Sequence, residues 1–234
     1  MQSPLANIPP VVKNLLIINV ICFIPFLIYD KSGELNPVVE HFGVYYFDSP
    51  FFRIWQIITH MFMHGGWAHI IFNMFALYSF GTALEFTMGS KRFFNFYFIC
   101  GLGAIALQML VQGIEVHSLV GSFTIPDNYQ NADPQIIARL QGIYGSPMVG
   151  ASGAIFGLLI GFGMLYPNAE LMIMLIPVPV KAKYVIPVYV LLELFLGVEQ
   201  FSGDSVAHFA HLGGAVLGFI LIKTWHLKRP GNLG

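Results

Sequence analysis

Six apolar stretches, each close to the length of a membrane-crossing helix, recur along this chain of 234 residues. They fall at about 12–29, 68–86, 93–112, 150–166, 184–198 and 206–225. A helix rises about 1.5 Å per residue and the hydrocarbon layer is about 30 Å thick, so roughly 20 apolar residues cross it. Lipid offers no partners to backbone N–H and C=O groups, which makes the helix the natural form for such runs. Composition agrees, with 56% hydrophobic and only 10% charged residues, against about 25% charged in soluble domains. The expected fold is all-α, a polytopic bundle of six transmembrane helices in one membrane domain, embedded in a lipid bilayer. A net charge of −1 offers no basic field for nucleic acid, so no such partner is expected.

The first run carries Asn14, Asn19 and Pro25 and ends without a small-residue cleavage signal. It reads as a retained span rather than a signal peptide, and the segment before it is too poor in Arg for a mitochondrial transit peptide. Cys22 and Cys100 sit inside apolar runs and read as unpaired thiols. Between the first two spans, FDSPFFRIWQIITHMF is amphipathic and aromatic, a composition suited to the membrane interface. The loop at about 113–148 is long and rich in Gly, Asn, Asp and Pro. The segment NAELMIMLIPVPVKAK is too rich in proline to span and belongs at the surface or re-enters. With the N-terminus inside, Lys13, Lys91, Arg92, Lys181, Lys183, Lys223, Lys228 and Arg229 all fall inside, and Lys31, Arg53 and Arg139 outside. That bias assigns both termini to the cytoplasm of a cell (inner) membrane and both long loops to its outer side.

Polar residues within such spans are costly and mark function. Ser152 heads the fourth span in VGASGAIFGLLIGFG, followed by Gly153, Gly157 and Gly161 at four-residue spacing. Gly214 and Gly218 repeat that spacing in the sixth span, with His211 three residues before Gly214. Small residues at every fourth position let helices approach closely. If the two stripes meet, Ser152 and His211 are brought together just below the outer surface. A serine hydroxyl becomes a nucleophile when a neighbouring imidazole takes its proton. With only Asp204 near His211 in sequence, a Ser-His dyad is expected, its imidazole oriented by stacking on Phe156. Donors for a developing oxyanion are available at the head of the fourth helix, around Gly150, and at His69 and Asn73, four apart on the second span.

Each residue also has a plain reading. Ser152 alone is a helix cap or a packing serine, and His211 alone a satisfied polar residue. His208, three residues earlier, is an alternative base, though nearer the water. His60, His64 and His69 admit a metal or solute-transport reading, but no cysteine or carboxylate stands beside them and HExxH is absent, so no metal is expected. His64 is expected to make structural hydrogen bonds that tie down the first loop. Glu85 should anchor the inner end of the second helix through a polar partner. Glu193, mid-span, admits only an internal hydrogen bond or ion pair.

Taken in order, HMFMHGGWAHIIFN (His60 to Asn73), GASG (Gly150 to Gly153) and AHLGG (Ala210 to Gly214) resemble the rhomboid family of intramembrane serine proteases. Glu85 matches a family glutamate at the end of the second helix. The resemblance covers about 51–225 and implies a rhomboid-like bundle around a water-filled cavity open to the outside. It implies Ser152 as nucleophile, His211 as base, and Asn73 and His69 at the oxyanion, with no cofactor. Its implied partners are single-span transmembrane substrates, cut near the outer face. A catalytically silent, client-binding protein of the same type is the alternative. Two departures stand out: Trp55 is followed by Gln56 where some members have arginine, and the loop after the third span is longer than in the simplest members.

Overall fold

A computed structural model describes residues 8–30, 35–126, 129, 133–173, 176–199 and 207–229 of the chain. Lys31, Asp204 and the first residue expected in the sixth span, Val206, lie outside the described residues. Among the described residues, six apolar helices form the bundle: α1 (Pro10–Tyr29), the span Trp67–Met88, α6 (Ser90–Val120), α8 (Ser152–Leu165), α9 (Ala182–Glu199) and α10 (His208–Thr224). The second of these comprises α4 (Trp67–Ala76) and α5 (Thr82–Met88), joined by a π-turn at Leu77–Gly81. Short helices α2 (Pro37–Phe42), α3 (Gln56–Thr59) and α7 (Pro134–Gly145) belong to the two long loops. Among the described residues, three helices are long and apolar enough to cross a membrane unaided: α1, Trp67–Met88 and α6. Together with their lipid-type surface, in which Ile17, Val20, Ile21, Ile24 and Ile28 of α1 are exposed, these make the chain an integral membrane protein.

One end of the bundle is held by side chains reaching between elements. The amide groups opening α1, Val11 N and Val12 N, donate to the Glu85 carboxylate at 3.0 and 2.8 Å, and Ser90 Oγ donates to it at 2.7 Å. Glu85 therefore supplies from across the fold the cap that Pro9 cannot give, since a helix start leaves its first N–H groups unpaired. Thr87 and Tyr166 hydroxyls meet, Arg229 donates to the Met164 carbonyl and Trp225 packs on Phe96 at the same end. The largest core cluster runs from this end through Leu84, Phe93, Phe96, Cys100, Ala154 and Leu158.

One expectation changes and two gain detail. The third span does not end near Gln112 but continues as α6 to Val120, where Gly121 closes it with a positive φ of 74°. At about 46 Å its 31 residues outrun the hydrocarbon layer, so the polar residues Glu115 and His117 lie on helix rather than loop. Second, the following loop carries α7, which packs Leu140, Ile143 and Tyr144 against Tyr46 and Val116. Asp48 accepts hydrogen bonds from Tyr144 Oη at 2.8 Å and Ile125 N at 3.2 Å, tying this loop to the first one. Third, the proline-rich segment forms an antiparallel ribbon, β1 (Glu170–Ile173) with β2 (Ile176–Lys181). A two-stranded ribbon has only edge strands, which tolerate the missing N–H groups of Pro177 and Pro179.

Candidate active site

Close approach of α8 and α10 builds the site. A Cβ on Gly214 would overlap the Gly153 backbone, and one on Gly218 would stand 2.7 Å from the Gly157 carbonyl oxygen. The same two helices press on α6, where Gly153 meets Ala104 and Gly157 meets Cys100. Gly213 in turn faces the Gly103 carbonyl. Gly161 meets side chains rather than backbone: Phe96, Leu84 and, on α10, Ile222.

This contact sets Ser152 Oγ 2.9 Å from His211 Nε2. Ser152 opens α8 in its first turn and its side chain makes no cap, the cap position being Ala151. The ring of Phe156 lies parallel to the His211 imidazole, centroids 4.3 Å apart and planes 8° apart. Tyr189 of α9 also stacks on Phe156, centroids 5.2 Å apart. On the far edge of the imidazole, Nδ1 stands 2.9 Å from Glu193 Oε2, and His208 Nδ1 stands 2.6 Å from the same oxygen. A carboxylate only accepts, so Nδ1 of His211 carries the proton and Nε2 is the acceptor for the Ser152 hydroxyl.

That arrangement departs from the dyad expected, because a carboxylate does stand beside His211. It comes from α9 rather than from the residues flanking the histidine. His208 is also corrected: it is buried, and turns toward Glu193 rather than toward water. Glu193 and His208 were visible as polar residues in apolar surroundings. Their signal was depth: Glu193 lies six residues from the end of α9, and His211 three from the start of α10.

The second span supplies His69 and Asn73, one turn apart on α4. Gly150 has φ of +125°, and a Cβ there would stand 2.7 Å from His69 Nε2, so only glycine lets this imidazole approach the head of α8. The Gly150 N–H already donates to the His60 carbonyl at 2.9 Å. Asn73 is buried and its Nδ2 has no hydrogen-bond partner among the described residues. His64 is buried against the edge of His69 with neither ring nitrogen paired among the described residues. The structural hydrogen bonds expected of His64 are thus not made among the described residues; His60 Nδ1 meets the Gln56 carbonyl at 2.9 Å, one turn back in the same loop. Burial pushes the His60 imidazole down to about 4 and that of His64 to about 3, with the neighbouring His69 adding to the second. A cavity of about 20 Å³, room for roughly one water, borders Ser152, Gly150, His60 and Ala104.

One group of metal-ligating residues occurs among the described residues: Glu193, His208 and His211. Neighbouring ligands on a tetrahedral zinc stand about 3.3 Å apart given bonds of about 2.0 Å. The 2.6 and 2.9 Å separations are those of hydrogen bonds.

The rhomboid-domain family model matches residues 52–228. The mitochondrial rhomboid protein 1 of Saccharomyces cerevisiae is 28% identical over 181 residues, 74% of this chain and 42% of that protein. The rhomboid protease GluP of Bacillus subtilis is 29% identical over 184 residues, 77% of this chain and 28% of that protein. The mitochondrial RHOMBOID-like protein 12 of Arabidopsis thaliana is 26% identical over 223 residues, 95% of this chain and 59% of that protein. The chain thus spans less than two thirds of the length of each of these relatives.

Proposed function

The chain belongs to the rhomboid family, and from that premise we propose that it is an intramembrane serine endopeptidase that cuts single-span transmembrane proteins near the outer membrane face. The observation that carries the reading is the 2.9 Å contact between Ser152 Oγ and His211 Nε2. Ser152 Oγ attacks the scissile carbonyl carbon while Nε2 takes its proton. The carbonyl oxygen becomes an oxyanion beside Asn73 Nδ2, His69 and the unpaired N–H groups in the first turn of α8. The tetrahedral carbon then expels the amine, which leaves with the proton from His211, and an ester to Ser152 remains. A water gives its proton to the same nitrogen and attacks the ester, and His211 returns that proton to Ser152 Oγ as the acid product leaves. Gly150 keeps His69 close to this point, Phe156 holds the imidazole plane, and Gly153, Gly157, Gly214 and Gly218 hold the two helices together. The membrane is the cell (inner) membrane, with both termini in the cytoplasm, as the lysine and arginine distribution supports.

Purified protein in proteoliposomes, given a panel of single-span substrates, tests this reading. Cleavage that disappears in Ser152→Ala and in His211→Ala, with a fluorophosphonate probe attached to Ser152, is the expected result. Cleavage that persists in Ser152→Ala removes that residue from its role. A wild-type protein that retains these substrates without cutting them or taking the probe would instead be a silent client-binding protein.

A further inference from the structure

Glu193 places a carboxylate in the middle of an apolar helix with a side chain only 6% exposed. Such a group is costly in a membrane span and needs compensation. Compensation comes from two imidazole N–H groups, His208 Nδ1 and His211 Nδ1, both directed at one oxygen. If the role were only to tie α9 to α10, His208 alone would serve. The second contact falls on the ring that faces Ser152.

Two constraints act on that ring. Stacking on Phe156 fixes the plane of the imidazole but leaves it free to turn within that plane and to carry its proton on either nitrogen. A carboxylate on Nδ1 removes both freedoms at once, since it accepts from N–H and repels a bare nitrogen lone pair. Building on the protease reading above, we infer that Glu193 is the positioning residue of the site: it holds His211 in the tautomer whose Nε2 receives the Ser152 proton. The same negative charge stabilises the imidazolium formed once that proton is taken. The proton on Nδ1 stays on Nδ1 throughout, and Glu193 remains a carboxylate. His208 holds the shared oxygen against α10, so the position of the carboxylate does not depend on His211 alone.

Glu193→Gln and Glu193→Asp, compared with wild type, decide the matter through two readouts. The first is steady-state cleavage. Changing a triad carboxylate to its amide lowers turnover about 10⁴-fold in a soluble protease. A fall of kcat by about 10²- to 10⁴-fold is expected in Glu193→Gln, with KM changed by less than about threefold. Glu193→Asp should recover at least tenfold of that loss. The second readout needs no turnover: ¹⁵N spectra of histidine-labelled protein in detergent, with the His211 signals identified by their loss in His211→Ala. Wild type and Glu193→Asp should show a protonated Nδ1 and a bare Nε2, and Glu193→Gln should lose that pattern. Thermal melts identify a variant that has failed to fold, in which case Glu193→Asp carries the comparison. If Glu193→Gln folds, keeps the wild-type tautomer and cleaves within threefold of wild type, the carboxylate is a helix tie and the inference falls while the protease reading stands. If wild type cleaves nothing and Ser152 takes no probe, the protease reading falls, and the tautomer comparison still decides what Glu193 does to His211.

Discussion

Asn73 illustrates how a single side chain separates a structural role from a chemical one. A buried amide with an unpaired Nδ2 weakens the fold, because its desolvation is not repaid by a hydrogen bond. Asn73→Leu should leave the melting temperature in detergent unchanged or raise it, while kcat falls by about 10²-fold or more, the usual loss of an oxyanion donor. A variant that melts lower and cleaves normally would make Asn73 a structural residue instead. His60 and His64 give a second residue-level prediction, on acid stability. Their folded-state imidazoles titrate near 4 and 3, below the unfolded value of about 6.5. Between those limits the unfolded chain binds more protons, so stability is present above about pH 6.5 and is lost as pH falls toward 4. At pH 5 each histidine costs about 2 kcal/mol. Melts at pH 7 and pH 5 should therefore differ, and His64→Phe should narrow the difference. An equal drop in wild type and His64→Phe would show that burial of His64 is not what acid attacks.

Among the elements, the α8–α10 contact decides whether a site exists at all. A methyl group on Gly214 has no room against the Gly153 backbone, and backbone on a packed helix cannot rotate away. Gly214→Ala should cost about 1–3 kcal/mol from overpacking and abolish probe labelling of Ser152, because the helices must separate and the 2.9 Å contact with them. Normal labelling in a stably folded Gly214→Ala would mean that helix spacing does not control the pair. This contact was legible in the sequence, since glycines every fourth residue report which face of a helix accepts a neighbour. So were Ser152 and His211, which sit on those faces. The link to Glu193 was not, because α9 has no comparable stripe to fix its rotation against α10. Nor was the full length of α6: Gly113 and Gln112 look like the end of a span, yet the helix runs on through them, with Gly113 packed beside Tyr46 and Phe123. The ribbon of β1 and β2 escaped for a different reason, since apolar composition alone does not tell a short strand from a broken helix.

For the whole molecule, depth and orientation follow from lengths and charges taken together. With 14 residues α8 is about 21 Å long, too short for a layer of about 30 Å. If the end anchored where Tyr166 meets Thr87 and Arg229 meets Met164 lies level with one face, the proposed reading puts Ser152 several ångströms below the other. Cleavage should then fall within a substrate span rather than in its exposed flank. Which face this is depends on the basic residues. Lys13, Lys91, Arg92, Lys181, Lys183, Lys223, Lys228 and Arg229 belong to the elements that meet at the anchored end, whereas Arg53 and Arg139 belong to the loops at the other. Since positive charge is retained on the cytoplasmic side, the proposed orientation has the anchored end cytoplasmic and the Ser152 end external. Single cysteines in a Cys22→Ala, Cys100→Ala background test this in intact cells with a membrane-impermeant maleimide. Gln141→Cys, exposed on α7, should react without lysis, and Lys228→Cys, exposed after α10, only after lysis. The reverse pattern would turn the protein over in the membrane and direct its cuts to the cytoplasmic side of its substrates, which mass mapping of the products would show independently.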